Sequence, residues 1–167
     1  MKSAYTGAAS SLIDGKTTHS IAMISIYGDK TISAETRGKL QKTWRDVKYL
    51  IIDEVSMISK MFFAKLSRNI AIGEMVEGQP PSPHSFGGIS AILCGNFFQF
   101  PPVACSLSEA LYFATTTAPR KRELSQVGRV IFEELTTVVT LSDTGWLIGV
   151  VRWLGFGSMA GEEVALL

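Results

Sequence analysis

The chain has 167 residues, of which 46% are hydrophobic and 19% charged, and its net charge is +1. These values suit one folded domain and exclude a disordered or collagen-like chain. Residues 1–68 carry eleven Lys and Arg against six Asp and Glu, whereas residues 69–167 carry five against nine. The basic first half could bind a phosphate-bearing partner. Its charges are scattered, however, so a solvated surface is the simpler interpretation, and the charge alone does not identify a partner.

The cysteines and the N-terminus bear on the compartment. Cys94 and Cys105 lie in apolar contexts without CxxC spacing, which favours a reduced intracellular protein over a disulfide scaffold or a zinc site. The residues before Asp14 contain no apolar run of the kind that a signal peptide needs. We therefore expect an intracellular protein with no membrane segment.

Two short apolar runs predict buried strands. Residues 47–52 and 89–94 are apolar except for Lys48 and Ser90, as in parallel sheets covered on both faces, and the second run is closed by Gly95. Between them the spacing predicts a helix over 61–72, with Ser59 as its N-cap and Gly73 as its C-terminal stop. The remaining predictions are a loop at 6–10 that opens a short helix, a turn at 14–16, a loop at 78–88, a short helix at 106–113, an exposed basic stretch at 119–122, a helix at 126–134 and a strand at 137–141. Strands that alternate with helices indicate an α/β domain with a mostly parallel sheet.

The last 25 residues differ in composition. From Asp143 onward they contain five glycines and two of the three tryptophans. Residues 146–151 are apolar, but Arg152 and the repeated glycines interrupt the run. The pattern predicts neither a helix nor a strand there, and the run is too short to cross a membrane.

Asp53 and Glu54 stand directly after the first predicted strand. Open α/β sheets bind ligands at the carboxyl ends of their strands. One carboxylate there can hold hydrated Mg²⁺ beside phosphate, while the other accepts a proton from an attacking water. The alternative is that the two acids only favour the N-terminus of the following helix.

Gln99 follows the second predicted strand, within the segment 95–103. An amide at a neighbouring strand end can reach the same phosphate group. Phe97, Phe98 and Phe100 are either core residues or rings that stack on nucleic-acid bases, and core packing is the simpler interpretation for each.

Two other sets of residues carry no catalytic prediction. Gly15-Lys16-Thr17 resembles the end of a phosphate loop, GxxxxGK[ST], but position 10 is serine and no strand precedes it, so we reject that assignment. His19 and His84 lack metal-ligand spacing, and no segment fits a Ser-His-Asp or Cys-His nucleophile.

Three blocks together resemble the PIF (petite integration frequency) helicases, a family of superfamily-one DNA helicases that move 5′ to 3′. Residues 6–10 with 15–20 resemble the family's TGxAA…GxTxHS motif, residues 50–57 resemble its Walker B block with DE[IV]SM, and residues 86–88 with 95–103 resemble its FGG…GDFFQLPPV segment. The blocks occur in the family's order over roughly residues 3–142.

The resemblance implies a RecA-like P-loop NTPase domain with ATP as substrate and Mg²⁺ as cofactor. Asp53 would hold Mg²⁺ through water, Glu54 would be the catalytic base, and Gln99 would sense the γ-phosphate. Single-stranded or forked DNA would run along the residues that match the first motif, namely Thr6, Gly7, Thr18 and His19. The implied roles are DNA repair, recombination and telomere maintenance, in the nucleus or the mitochondrion.

The sequence also departs from the family pattern. The Walker A loop would precede Thr6, Asn96 replaces the usual Asp, and after Ser142 the family's arginine-bearing segment does not follow. We therefore expect residues 1–142 to be a partial motor domain without its phosphate-loop strand, and residues 143–167 to be a tail unlike the family. Such a fragment would be inactive alone; the alternative is a non-catalytic single-stranded DNA-binding or degenerate helicase fragment.

Overall fold

The computed structural model describes residues 1–25, 31–76, 78–114, 123–141 and 146–151. The strands in these ranges are β1 (Lys2–Ala4), β2 (Lys16–Thr17), β3 (Tyr49–Asp53), β4 (Ser90–Asn96), β5 (Thr137–Leu141) and β6 (Trp146–Val151). The helices are α1 (Gly7–Leu12), α2 (Thr18–Ile21), α3 (Ala34–Trp44), α4 (Lys60–Glu74) and α5 (Glu123–Glu133), with short 3₁₀ turns at Val55–Met57, Ser85–Gly88 and Leu107–Glu109. None of these helices has both the length and the apolar content that a bilayer crossing requires.

The strands form one sheet in the order β2-β1-β3-β4-β6-β5. The first four are mutually parallel, whereas β6 runs antiparallel to both β4 and β5. Leu50, Ile52 and Leu93 are fully buried, as expected for strands that helices cover. The predicted α/β fold with a mostly parallel sheet is confirmed.

The segment Gly15-Lys16-Thr17 lies at the edge of this sheet. Lys16 and Thr17 form β2, the preceding element is α1, and the Thr17 hydroxyl caps α2 by accepting from the backbone N–H of Ser20. The segment is therefore an edge strand and a helix cap, which agrees with the rejection of a phosphate loop.

Helix α4 starts as predicted and ends later. The Ser59 hydroxyl accepts from the Phe62 N–H at 3.2 Å, which confirms the N-cap. The prediction that Gly73 ends the helix is wrong, because α4 continues to Glu74. A Cβ at Gly73 would lie 2.7 Å from Trp44 Cδ1, so this glycine makes room for the buried indole of α3.

The tail contains a strand that the sequence pattern does not predict. Residues 146–151 form β6, which pairs on one side with β4 and on the other with β5. Its tryptophan, leucine, isoleucine and valines favour extended backbone. The hydrogen bonds to both neighbouring strands outweigh the conformational entropy that Gly149 loses in a strand.

Two further predictions need adjustment. The helix expected at 106–113 is reduced to the 3₁₀ turn Leu107–Glu109, and the helix expected at 126–134 is α5, which begins three residues earlier. The basic stretch 119–122 and residues 143–145 and 152–167 of the tail lie outside the described residues.

Gly128 offers a test of the packing between α4 and α5. A Cβ there would lie 1.9 Å from the carbonyl oxygen of Lys60, so Gly128→Ala forces the two helices apart. We expect a loss of about 1–3 kcal/mol in the free energy of unfolding, measured by urea denaturation. Gly38→Ala is the matched control, because Gly38 lies inside α3 with nothing within 4 Å; it should stabilise the chain by about 0.5–1 kcal/mol. Equal stabilities of the two variants would contradict the close helix contact.

Candidate nucleotide and nucleic-acid site

The carboxyl ends of the parallel strands meet at one edge of the sheet. Ala4 at the end of β1 pairs with Asp53 at the end of β3, and β4 ends beside them at Asn96. A cavity of about 200 Å³ opens at this edge, and its wall includes Asp53, Glu54 and Gln99. The three residues predicted to act on one phosphate group therefore line one cavity, although they come from two separate segments.

A strained turn presents the two carboxylates. Glu54 has φ 57° and ψ 38°, the left-handed region that a residue other than glycine adopts at a cost of about 1–3 kcal/mol. The Asp53 carboxylate accepts a hydrogen bond from the Glu54 N–H at 2.8 Å and stabilises the turn. The turn also packs closely on β4, since a Cβ at Gly95 would lie 2.9 Å from the Val55 nitrogen. Two half-buried carboxylates in a cavity fit Mg²⁺, which takes one or two protein carboxylates and fills its other positions with water and phosphate oxygens.

Asn96 shapes the turn that carries Gln99. Its side-chain oxygen accepts from the Phe98 N–H at 2.8 Å, and its carbonyl oxygen accepts from the Gln99 N–H at 3.2 Å. An Asp side chain offers the same acceptor oxygen, so the asparagine retains this contact to the turn while it removes a negative charge. Gln99 itself is exposed at the mouth of the cavity.

The three phenylalanines around Gln99 have different environments. Phe97 is half-buried and packs edge-on against Tyr112 and Phe132. Phe98 and Phe100 are 88% and 59% exposed, so the expectation of core packing is right for Phe97 and wrong for the other two. Both exposed rings follow Phe97 in the irregular segment after β4.

Thr6 and Gly7 begin α1 at the same edge of the sheet. The Thr6 hydroxyl caps the helix by accepting from the Ala9 N–H, and it donates to Glu54 Oε2 at 2.8 Å. The Thr6 N–H donates to the same oxygen at 3.2 Å. Apart from its chain neighbours and the backbone of α1 itself, none of the described residues has an atom within 4 Å of the position where Gly7 would carry a Cβ, so this face of α1 is open.

His19 belongs to an aromatic cluster that the sequence does not reveal. Its ring centroid lies 4.6 Å from that of Phe62 and 5.2 Å from that of Tyr5, and the Tyr5 and Phe62 centroids are 5.6 Å apart. Burial lowers the pKa of His19, so the imidazole is neutral near pH 7 and contributes a ring rather than a charge. We call Tyr5, His19 and Phe62 the aromatic cluster.

Thr18 differs from the other residues predicted on the DNA path. Its side chain is fully buried, and among the described residues its hydroxyl has no hydrogen-bond partner. The structure therefore brings Thr6, Gly7 and His19 to the surface or close to it and leaves Thr18 beneath them.

The fold and the site define a RecA-like α/β domain that presents paired carboxylates at the carboxyl edge of its sheet. A family model described as "PIF1-like helicase" matches residues 1–137. The chain belongs to the PIF1-like helicase family.

Proteins similar to this chain carry helicase names. The ATP-dependent DNA helicase PIF1 of Xenopus laevis is 35% identical over 134 residues, which cover 75% of this chain and 20% of that protein. The ATP-dependent DNA helicase RRM3 of Saccharomyces cerevisiae is 41% identical over 106 residues, which cover 60% of this chain and 14% of the relative. The chain thus spans about a fifth or less of the length of these relatives.

A solved structure agrees with the fold. The crystal structure of a double mutant of the Pif1 helicase from Bacteroides matches with a TM-score of 0.50 and 28% identity. The match covers 65% of this chain and 25% of that structure.

Proposed function

We propose that this chain forms part of the first motor domain of an ATP-dependent DNA helicase that moves 5′ to 3′ along single-stranded or forked DNA. The observation that carries the proposal is the cavity in which Asp53, Glu54 and Gln99 meet. Family membership over residues 1–137 supports the same function.

Each residue of the cavity has a proposed role. Asp53 would hold Mg²⁺ through water, and the ion would neutralise charge on the phosphates of ATP. Glu54 would accept the proton of the attacking water, and the Gln99 amide would contact the γ-phosphate. These roles require phosphate at the carboxyl edge of the sheet, where the three side chains lie.

DNA would lie over the open start of α1 and the aromatic cluster. Thr6 and Gly7 offer donors and open space to the phosphate backbone, while the ring of His19 offers a surface for a base. The proposed cellular roles are DNA repair, recombination and telomere maintenance, in the nucleus or the mitochondrion.

The 167-residue chain by itself should bind single-stranded DNA without turning over ATP. Its sequence contains no GxxxxGK[ST] segment, and phosphoryl transfer depends on the lysine and backbone of such a loop together with the carboxylates. The second candidate function, a non-catalytic single-stranded DNA-binding module, is favoured by the aromatic cluster beside Thr6 and Gly7.

The test combines fluorescence anisotropy of a labelled oligothymidylate with an assay of ATP turnover in the same mixture. We expect binding that weakens as salt rises, because bound phosphates release counterions, and no measurable turnover. His19→Ala should weaken binding about 5- to 150-fold, the equivalent of losing one stacked base. His84→Ala is the matched control, since His84 is exposed in the proline-rich loop. Absence of binding at low salt would overturn the DNA surface, and DNA-stimulated turnover would overturn the proposed inactivity of the chain alone.

A further inference from the structure

A pair of hydrogen bonds joins the proposed DNA surface to the proposed catalytic base. The Thr6 hydroxyl and the Thr6 N–H both donate to Glu54 Oε2, at 2.8 and 3.2 Å. Thr6 and Glu54 are 48 residues apart in the sequence, so the contact exists only because β1 and β3 are neighbours in the sheet. The same hydroxyl accepts from the Ala9 N–H and thereby fixes Thr6 to the first turn of α1.

These bonds restrict what the Glu54 carboxylate can do. A carboxylate oxygen has about two lone-pair sites, and the two Thr6 donors occupy those of Oε2. An oxygen in that state does not accept a proton from water. Thr6, on the proposed DNA surface, therefore occupies one of the two oxygens of the Glu54 carboxylate, and that oxygen cannot take part in the proposed reaction.

A DNA phosphate on α1 would compete with Glu54 for the same donors. Both are anions, and both accept hydrogen bonds from a backbone N–H and a hydroxyl. A phosphate at Thr6 would also repel the carboxylate, because the two like charges would share one pair of donors.

We propose that Thr6 is a positioning residue that couples the two sites: DNA bound at the start of α1 takes the Thr6 donors and releases Glu54 Oε2 toward the cavity. The inference rests on the proposed function, since it requires DNA to pass over Thr6. Coupling between two sites is reciprocal. If bound DNA shifts the equilibrium of Glu54 toward its released state by some factor, then the bond between Glu54 and Thr6 must weaken the affinity for DNA by the same factor.

Reciprocity makes the proposal testable on the chain itself, without ATP turnover. Glu54→Ala removes the competing anion and should tighten binding of a labelled oligothymidylate. Asp53→Asn is the matched control for charge, because it also removes one negative charge from the cavity but keeps an acceptor for the Glu54 N–H; in the described part of the chain, the hydrogen bonds of Thr6 go to Glu54 and Ala9 and not to the Asp53 side chain. We expect Glu54→Ala to bind at least about 5-fold more tightly than Asp53→Asn, the lower end of coupling between sites.

A double-mutant cycle assigns the effect to Thr6. In a Thr6→Val background the gain from Glu54→Ala should shrink toward that of Asp53→Asn, whereas in Thr6→Ser, which keeps the hydroxyl, the full gain should return. A merely structural role of Thr6 as a helix cap would alter thermal stability but would leave the gain from Glu54→Ala unchanged.

The outcomes separate this inference from the proposed function. If the unsubstituted chain binds no DNA, the proposed DNA surface fails and the coupling fails with it. If the chain binds DNA but Glu54→Ala and Asp53→Asn agree within twofold, or if Thr6→Val leaves the gain intact, the coupling alone is overturned.

Discussion

Glu54→Gln should lower DNA-stimulated ATP hydrolysis about 10²- to 10⁴-fold when this domain operates inside a complete motor, the usual contribution of a general base. The suitable protein is a chimera in which residues 1–137 replace the matching segment of the Xenopus laevis relative. The match to that relative is 35% identical over 134 residues, which are 20% of its length, so the chimera keeps most of the relative's own chain.

The substitution isolates the proton acceptor from the fold. Glutamine has the shape of glutamate and still offers an oxygen to the Thr6 hydroxyl, so the contact between β3 and α1 survives in weaker form. What the side chain loses is its charge and its capacity to take a proton. Single-stranded DNA binding by the chimera should therefore persist while turnover falls.

Glu35→Gln is the matched control. Glu35 lies in the first turn of α3, where its exposed carboxylate forms an ion pair with Lys39 far along the chain from the cavity. The control variant should hydrolyse ATP at the rate of the parent chimera. A Glu54→Gln chimera that retains a tenth or more of the parent rate would contradict the assignment of Glu54 as the base.

The sequence was sufficient to predict the parts of the site that depend on strand ends. A continuous apolar run must be buried on both faces, and the polar residues that follow it must then emerge at the edge of the sheet. This reasoning places Asp53 and Gln99 at neighbouring strand ends, and the structure brings both to one cavity. Local signals also identified the Ser59 cap, since capping depends on residues only three positions apart.

Contacts between distant segments were beyond such reasoning. Gly73 has the local signature of a helix end, yet the ring of Trp44 needs the space that its missing side chain leaves. Strand β6 forms because β4 and β5 both offer it a ladder, and no periodicity within residues 146–151 reveals those partners. The bond between Thr6 and Glu54 likewise depends on the register of β1 against β3.

The aromatic cluster illustrates the same limit. Tyr5 directly follows β1, His19 lies in α2, and Phe62 lies in the first turn of α4. No one of these residues indicates a cluster by itself, and the three rings meet only in the folded chain, where they form the proposed surface for bases. A sequence signal existed for His19 alone, through its place in the family motif.

Trp44→Ala should cost about 3–5 kcal/mol of unfolding free energy, the range for deleting a large buried aromatic side chain. The indole is fully buried, and it contacts α4 directly at Gly73, where the absence of a side chain leaves space for the ring. Its Nε1 donates to the carbonyl oxygen of Ile21 at 3.1 Å, the last residue of α2. The substitution thus opens a cavity and also leaves a buried carbonyl without its donor.

The bond to Ile21 connects this core residue to the proposed DNA surface, because α2 also carries His19. Trp44→Phe keeps a buried ring but loses the N–H, so it should cost about 1–3 kcal/mol, the usual penalty for one unsatisfied buried group. Urea denaturation followed by circular dichroism measures both variants, and anisotropy with oligothymidylate measures the surface. We expect Trp44→Phe to weaken DNA binding less than His19→Ala does. The reason is that α2 remains attached to α4, because the Asn69 side chain donates to the Ala22 carbonyl at 2.9 Å. A Trp44→Ala variant within 1 kcal/mol of the parent chain would mean that α2 and α3 are held by contacts other than this indole.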